Sequence, residues 1–249
     1  MQSLKTHSLK IGLQSLRQGL DHARDRYWVA RRYRRLGRER DAAFISYKNR
    51  SPLGLQIGAQ NNVLDNWFNT DLDPRAERIY YLDATQPFPF ADHTFDFIFS
   101  EHMIEHIPFA AGLEFLRECR RVLKPSGVVR TATPNLKNIL ALNTNHNPDV
   151  DRYLTWAVER FNLPPEPYPR APMVINHFFQ SWGHQFLYDP ETLVATLAEA
   201  GFCSIVQRRP GESAHGPLRG LEHHGDAIGE WINQFETMVF EGSAPGLSE

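Results

Sequence analysis

The chain has 249 residues, enough for one α/β domain with additions. Hydrophobic residues make up 41% of it and charged residues 22%, a balance that supports a sizeable core and argues against wholesale disorder. The net charge of −2 gives no reason to expect a nucleic-acid partner, and two cysteines are too few for a disulfide framework.

The first 40 residues differ from the rest in charge. They hold 11 Lys and Arg against three Asp and Glu, a net of +8, whereas the remainder carries −10. The leucines of this region repeat on one helical face: Leu9, Leu13, Leu16 and Leu20. This spacing predicts a helix over residues 4–36. We therefore expect a basic helical extension over residues 1–45 and one domain over residues 46–249.

Membrane attachment has one candidate element. No apolar run approaches the roughly 20 residues of a membrane span, and no signal-peptide pattern follows the basic N-terminus. Two interpretations of residues 1–40 stay open: a helix with a solvated basic face, or a contact with anionic lipid. We expect a cytoplasmic protein, with the second interpretation placing it at the inner face of the membrane.

From residue 53 onward, short apolar runs alternate with helical patterns. The sequence predicts seven strands, at residues 53–58, 66–72, 78–83, 95–100, 128–133, 204–207 and 235–241. It also predicts helices over 112–123 and 190–200, each followed by a Pro or Gly stop. This alternation indicates a Rossmann-like three-layer α/β sandwich with a seven-stranded, mostly parallel sheet. Residues 143–182 and 211–234 break it, and we expect these inserts to shape an acceptor pocket.

The ends of the first three strands carry a pattern typical of cofactor sites. Gly58 follows the first strand and lets the backbone approach a ligand. Asp71 ends the second strand, where a carboxylate can accept from both hydroxyls of a ribose, and Asp83 ends the third, where it can accept from an adenine amino group. Each aspartate alone also fits a turn or a helix cap. The three together favour a nucleotide-like cofactor.

The most specific stretch lies just after these strands. Residues 83–106 read DATQPFPFADHTFDFIFSEHMIEH, and residues 116–127 read LRECRRVLKPSG. This pattern resembles the class I S-adenosylmethionine (SAM)-dependent methyltransferases, especially bacterial members of sugar and cell-surface glycan pathways. The resemblance covers residues 53–136 and 176–207.

The resemblance implies methyl transfer from SAM to a hydroxyl of a saccharide or glycolipid precursor. It also implies the cofactor residues, in chain order: Gly58, Ala59 and Gln60 at the methionine part, Asp71 and Leu72 at the ribose, Asp83 and Ala84 at the adenine, and Ser100 and Glu101 beside the sulfonium. Gln60 stands where the family usually has glycine. Its side chain must therefore turn away from the cofactor or bind it.

Methylation of a hydroxyl needs a base, and histidine titrates near neutral pH. The candidates are His102, His106, His177 and His184. His102, Glu105 and His106 are spaced i, i+3 and i+4, so on the helix expected after the fourth strand they share one face. Such a set can hold Mg²⁺ or another divalent cation, and it resembles the Glu, Glu, His set of metal-dependent small-RNA 2′-O-methyltransferases with His102 in place of the first Glu. A pocket role without metal is the alternative.

The later inserts supply aromatic and polar candidates for the acceptor. Phe178, Phe179 and Trp182 suit stacking on a sugar ring, or else a packed aromatic loop. Residues 211–213 and 220–224 resemble the same glycan subgroup and are expected near the pocket, with His223 and His224 themselves on the surface.

Two other functions remain open at this point. One is a non-catalytic chain of this fold that serves as a partner in a glycan-assembly complex, which Gln60 favours. The other is a nicotinamide-dependent enzyme, because Asp71 suits that cofactor too. The absence of a G-x-G-x-x-G sequence and the Asp83-Ala84 pair argue against the second.

Overall fold

A computed structural model describes residues 27–164 and 167–246. The chain divides into two units, Met1–Ser46 and Tyr47–Glu249. In the first unit, helix α1 spans residues 27–44, so it continues past the end predicted at residue 36. Gly37 does not stop the helix, because an interior glycine costs only about 1 kcal/mol and helix formers follow it. The predicted helical residues 4–26 lie outside the described residues. Among the described residues, no helix is long and apolar enough to cross a membrane.

The second unit is built on one seven-stranded sheet. Its strands are β1 (Gly54–Ile57), β2 (Trp67–Asp71), β3 (Ile79–Tyr81), β4 (Phe95–Glu101), β5 (Leu123–Pro134), β6 (Cys203–Arg208) and β7 (Thr237–Ser243). Their order is β3-β2-β1-β4-β5-β7-β6. The first five strands are parallel, and β7 runs antiparallel to both β5 and β6. The predicted Rossmann-like α/β fold with a mostly parallel sheet is confirmed.

Seven helices of this unit are described. They are α2 (Phe109–Val122), α3 (Leu136–Ala141), α4 (Pro148–Arg160), α5 (Arg170–Gln180), α6 (Pro190–Glu199), α7 (His224–Ile228) and α8 (Glu230–Glu236). Short 3₁₀ turns span Ile104–His106 and Gly216–Leu218. Asn147 and Asp189 cap the N-termini of α4 and α6 through side-chain bonds to backbone N–H groups, which satisfies donors that a helix start leaves free.

Residues 143–182, predicted as an insert, contain α4 and α5, which pack an apolar cluster that includes Tyr153 and Phe178. Two predictions about other elements are wrong. The last strand begins at Thr237, since residues 235–236 complete α8. Residues 102–106 are not a regular helix, because β4 extends to Glu101 and the N–H of the next residue still bonds the Ala132 carbonyl at 2.9 Å.

The strand order places the site. β2 and β3 extend the sheet on one side of β1, and the chain then crosses from β3 to β4 on the other side. The carboxyl ends of β1 and β4 therefore border the crevice where ligands of open α/β sheets bind. Both strands are rigid supports, since Leu55, Ile98 and Phe99 are fully buried between the helical layers.

The most specific sequence stretch is explained by structural contacts behind this crevice. The Arg121 guanidinium donates to the carbonyls of Phe88 and Phe90 at 2.9 and 2.8 Å, so it fixes the Pro-Phe loop against α2. Asp96 accepts from the Leu53 N–H at 2.8 Å and from Lys124 at 2.7 Å. These residues hold β1, β4 and β5 in place.

Candidate active site

Two adjoining pockets lie over the carboxyl ends of β1 and β4. They share Gly58, Gln60 and His102, and their volumes are about 290 and 230 Å³. Only together do they reach the size usual for a small-molecule site, roughly 300–1,000 Å³. They therefore form one groove, with a β2–β3 half and a half beneath α7.

The β2–β3 half contains the predicted ribose and adenine residues. Its lining comprises Ile57, Asp71, Leu72, Leu82, Asp83, Ala84, Thr85, Met103, His106 and Ile107, besides the three shared residues. The Asp71 carboxylate accepts from the backbone N–H groups of Gln60 and Asp73, both at 2.8 Å, one on each oxygen. Because a carboxylate oxygen has two acceptor positions, each oxygen keeps one for a diol.

Asp83 combines a turn with a free acceptor. One of its oxygens accepts from the Thr85 N–H at 2.9 Å and from the Thr85 hydroxyl at 2.7 Å, the bond pattern of an Asx turn. Within the described residues its second oxygen makes no hydrogen bond. The turn and the predicted adenine contact are therefore compatible.

The turn after β1 leaves no room for a side chain at Gly58. Gly58 has a φ of +78°, and a Cβ there would lie 2.7 Å from the Cγ of Met103. Gln60 also has a positive φ, +48°, a region that favours glycine. Its backbone N–H donates to Asp71, and the residue lines both halves of the groove.

The half beneath α7 is polar and holds unpaired groups. Its further lining residues are Gln56, Ala59, Asn61, Asn62, Glu101, His223, His224 and Ala227. The Gln56 Oε1 and the Asn62 Nδ2 are buried and have no hydrogen-bond partner among the described residues. Glu101 accepts from the N–H groups of His223 and His224 at 2.9 to 3.1 Å. The three residues that carry these groups line the same half of the groove.

Ser100 is placed differently from its prediction. It lies beneath the groove with 1% of its surface exposed and lines neither half. Its hydroxyl is 3.4 Å from that of Thr131 on the neighbouring strand.

His102 and Glu105 form a buried pair at the centre of the groove. The His102 Nδ1 lies 3.1 Å from Glu105 Oε1, and its Nε2 lies 3.1 Å from the Thr237 hydroxyl. Burial opposes the charge on His102, but the bond to Glu105 and the nearby carboxylates outweigh it and raise the pKa of His102. Burial also opposes the charge on Glu105, yet the bond to His102 lowers the pKa of that carboxyl. A raised pKa for His102 and a lowered pKa for Glu105 are the shifts expected when the two side chains form an ion pair.

His224 is a site residue that the sequence prediction missed. It was expected on the surface, but its ring lies 4.0 Å from that of His102, centroid to centroid. Its Nε2 is 3.0 Å from Glu236, which also accepts from the buried Tyr153 hydroxyl at 2.7 Å. No spacing in the sequence relates residue 224 to residue 102, so only the subgroup resemblance pointed here.

The predicted metal set is not the one that the structure brings together. Glu105, His106 and His184 each place one candidate ligand atom within 4.8 Å of the others, whereas His102 is not part of this group and uses its Nδ1 to pair with Glu105. The backbone N–H groups of Gln185 and Phe186 donate to the Glu105 carbonyl at 2.7 and 3.2 Å. These bonds draw the insert onto the end of β4.

The remaining insert residues divide between core and surface. His177 lines neither half of the groove and stacks on Phe161 at 4.6 Å, and burial lowers its pKa. Phe178 is 3% exposed, so its predicted sugar contact is wrong. Phe179 and Trp182 stay half-exposed, and the Trp182 ring lies 5.3 Å from that of His184.

Residues 220–224 are likewise only partly at the groove. Glu222 does not line it, because its carboxylate pairs with the fully buried Arg130 at 2.6 Å. The same carboxylate accepts from the Gly211 N–H at 2.7 Å, which fixes the preceding loop. Glu222 thereby holds in place the segment that delivers His223 and His224.

Comparisons with known proteins agree with the central part of the chain. Residues 62–131 match the family described as methyltransferase domain, and this segment carries Asp71, Asp83 and His102. No curated protein matches the chain. A SAM-dependent methyltransferase of Archaeoglobus fulgidus is similar at 16% identity, over 84% of this chain and 94% of that chain, with a TM-score of 0.44.

A second similar structure is larger. Phosphoethanolamine N-methyltransferase 2 of Haemonchus contortus, in complex with S-adenosyl-L-methionine, matches at 13% identity with a TM-score of 0.42. The alignment covers 83% of this chain but 52% of that chain. Identities and scores this low assign no substrate.

Proposed function

We propose that this SAM-dependent methyltransferase methylates a hydroxyl oxygen of a saccharide or glycolipid precursor, with a histidine as the base. The observation that carries the proposal is the placement of His102. It lines both halves of the groove at the switch point, and Glu105 holds its Nδ1. No other described histidine lines both halves.

The groove residues suit the two ends of the cofactor. In the β2–β3 half, Asp71 would accept from the ribose hydroxyls and the free oxygen of Asp83 from the adenine amino group. In the other half, Gln56 and Glu101 offer acceptors to an ammonium group and Asn62 offers a donor to a carboxylate. These are the groups that an amino-acid end carries.

The base follows from the orientation of one imidazole. In its neutral form, His102 donates its Nδ1–H to Glu105 and keeps the Nε2 lone pair as an acceptor, 3.1 Å from the Thr237 hydroxyl. A bound acceptor hydroxyl would replace Thr237 and give its proton to Nε2. SAM, when bound, would supply the methyl group to the acceptor oxygen, and its sulfur would keep the electron pair of the broken bond. Glu105 then stabilises the imidazolium, as a carboxylate does in other His–carboxylate pairs.

An aromatic wall supports a saccharide as acceptor. It leads from the groove to the surface through the rings of His106, His184 and Trp182, with centroid separations of 5.0 and 5.3 Å. Half of the Trp182 surface is exposed. A flat aromatic face beside ring nitrogens offers both contacts that a sugar needs, apolar stacking and hydrogen bonding.

The basic charge of the first unit would suit an enzyme whose acceptor is linked to a lipid. We propose that residues 1–45 form an extension separate from the domain of residues 46–249 and contact anionic lipid. Exposed arginines line one groove of α1: Arg31, Arg34, Arg35 and Arg38. Each basic residue near an anionic membrane contributes about 1 kcal/mol. Pelleting with phosphatidylserine vesicles, with and without residues 1–40, tests this, and equal pelleting would contradict it.

The proposal is tested by methyl transfer from isotopically labelled SAM to a panel of saccharides. His102→Gln should lower kcat about 10²- to 10⁴-fold, because it removes the base, and should change the SAM dissociation constant only a few-fold. His146→Gln, at an exposed loop histidine, is the matched control. Equal rates of methyl transfer by the two variants would contradict the role of His102 as the base.

The same purified protein distinguishes this proposal from the two alternative functions, a non-catalytic partner protein and a nicotinamide-dependent enzyme. A non-catalytic partner protein would transfer no methyl group to any acceptor. A nicotinamide enzyme would retain NADH through desalting, which an absorbance scan detects.

A further inference from the structure

The geometry points to a divalent transition-metal site formed by Glu105, His106 and His184 at the wall of the groove. Their candidate ligand atoms all lie within 4.8 Å of one another, and Glu105 is fully buried. Ligands about 2.1 Å from one ion are at most about 4.2 Å apart, so closing the site takes side-chain movements of about 1 Å. Rotation of the two imidazoles supplies such movements.

Neighbouring groups form hydrogen bonds with His184 and Glu105, as they usually do with the ligands of a metal ion. His184 Nδ1 donates to the Phe178 carbonyl at 2.7 Å, which leaves its Nε2 lone pair free for a ligand bond. Glu105 accepts from Thr133 at 3.0 Å and from His102 at 3.1 Å, so its carboxylate is fixed before any ion arrives. Hydrogen bonds of this kind set tautomer and direction at known metal sites.

Hydrogen bonds to backbone carbonyls also hold Glu105, His106 and His184 close together. The Gln185 side chain donates to the His106 carbonyl at 2.7 Å, in addition to the two backbone bonds onto Glu105. The rings of His106 and His184 therefore meet edge to face at 5.0 Å. Two segments almost eighty residues apart in sequence are fastened together where the three side chains converge.

The donor set selects the class of ion. Two imidazoles and one carboxylate suit Zn²⁺, Co²⁺, Mn²⁺ or Fe²⁺, whereas Mg²⁺ prefers oxygen ligands. The sequence-based expectation was Mg²⁺ or another divalent cation on His102, Glu105 and His106; the ligand set now has His184 in place of His102. Three protein ligands also leave coordination positions open, which is the pattern of catalytic rather than structural sites.

The open coordination positions of such an ion could bind an acceptor hydroxyl. His106 lines the groove and its ring lies 5.0 Å from that of His184, where the aromatic wall proposed for the acceptor begins. An ion there would supply Lewis-acid polarisation of an acceptor hydroxyl. This use rests on the proposed function, but the binding of the ion does not.

The test titrates untagged, chelator-treated full-length protein with Co²⁺, followed by calorimetry and by the visible absorption bands of Co²⁺. We expect one Co²⁺ per chain with bands typical of mixed nitrogen and oxygen ligation. His106→Ala and His184→Ala should each weaken Co²⁺ binding at least about 100-fold, because loss of an outer-shell partner alone costs about 10–100-fold. His146→Ala, which removes an exposed histidine, should bind like the unaltered protein.

Two outcomes would overturn the site: no Co²⁺ binding by the unaltered protein, or equal binding by all three variants. Circular dichroism and thermal unfolding establish that each variant is folded, and His106→Ala is the decisive variant because that side chain is only half-buried. SAM is titrated separately in the absence of metal. Co²⁺ binding without SAM binding would support this site and contradict the proposed function, and the reverse result would do the opposite.

Discussion

Replacing Arg130 with Met should destabilise the second unit strongly. Arg130 is the largest fully buried side chain, and its guanidinium donates to Glu222 at 2.6 Å and to Glu241 at 2.7 Å. It also donates to the Glu212 carbonyl at 2.8 Å. One cation therefore ties β5, β7 and the loop before His223 together.

The magnitude follows from what the substitution leaves behind. Met has a similar volume, so the change leaves no large cavity, but Glu222 stays 1% exposed without its cation, and Glu241, 4% exposed, keeps only Arg208 at 3.1 Å. An uncompensated buried charge costs about 3–5 kcal/mol of unfolding free energy. In a domain of this size, 1 kcal/mol corresponds to about 2–4 °C, so Tm should fall by about 6–20 °C.

Urea unfolding and calorimetry at neutral pH measure this loss. The matched control is Arg117→Met, because Arg117 is 44% exposed and its ion pairs with Glu114 and Glu199 are solvent-screened. The control should lose at most about 1 kcal/mol. A loss below about 1 kcal/mol in Arg130→Met, or equal losses in both variants, would refute the reasoning.

Three further perturbations test separate parts of the structure. Gly58→Ala should weaken SAM binding at least about tenfold, because the added Cβ lies 2.7 Å from a neighbouring side chain and pushes the turn into the groove. Glu118→Gln should flatten the loss of stability below about pH 4.5: the bonds from Arg121 lower the pKa of Glu118, so its contribution is present above that pH and disappears as pH falls. Trp182→Ala should raise KM for a saccharide acceptor while SAM binding stays unchanged.

Each perturbation has a control or a contradicting result. Gly211→Ala puts the same substitution at a similar φ, +79°, with nothing within 4 Å, so equal effects on SAM binding would remove the steric argument. Parallel acid-unfolding curves for Glu118→Gln and the unaltered protein would show that the Arg121 bond contributes nothing. Loss of SAM binding in Trp182→Ala would place that side chain in the cofactor site instead of the acceptor site.

The parts of the fold that local sequence determines could be predicted. Gly58, Asp71 and Asp83 follow three strands in turn, and parallel strands bring their ends to one edge. Helix α4 could have been predicted too, since Val150, Tyr153, Leu154 and Ala157 repeat with helical spacing.

The arrangement of the histidines could not be predicted, because it depends on distant contacts. The His102 N–H still bonds the Ala132 carbonyl, and His102 has a φ of +45°, so the chain leaves β4 through a left-handed residue and not through a helix. His184 reaches Glu105 through backbone bonds between segments far apart in sequence, and His224 reaches His102 because Glu236 holds it. No local spacing encodes either approach.

Calorimetric titration of the purified chain with SAM tests the central claim most directly, alongside Asp71→Ala and the matched control Asp65→Ala. Asp65 is exposed and paired only with Arg78 among the described residues, so its loss should leave SAM binding unchanged. We predict micromolar binding to the unaltered protein, about −8 kcal/mol, and a sharp loss in Asp71→Ala alone. No heat with the unaltered protein, or equal affinity in Asp71→Ala, would contradict the cofactor site.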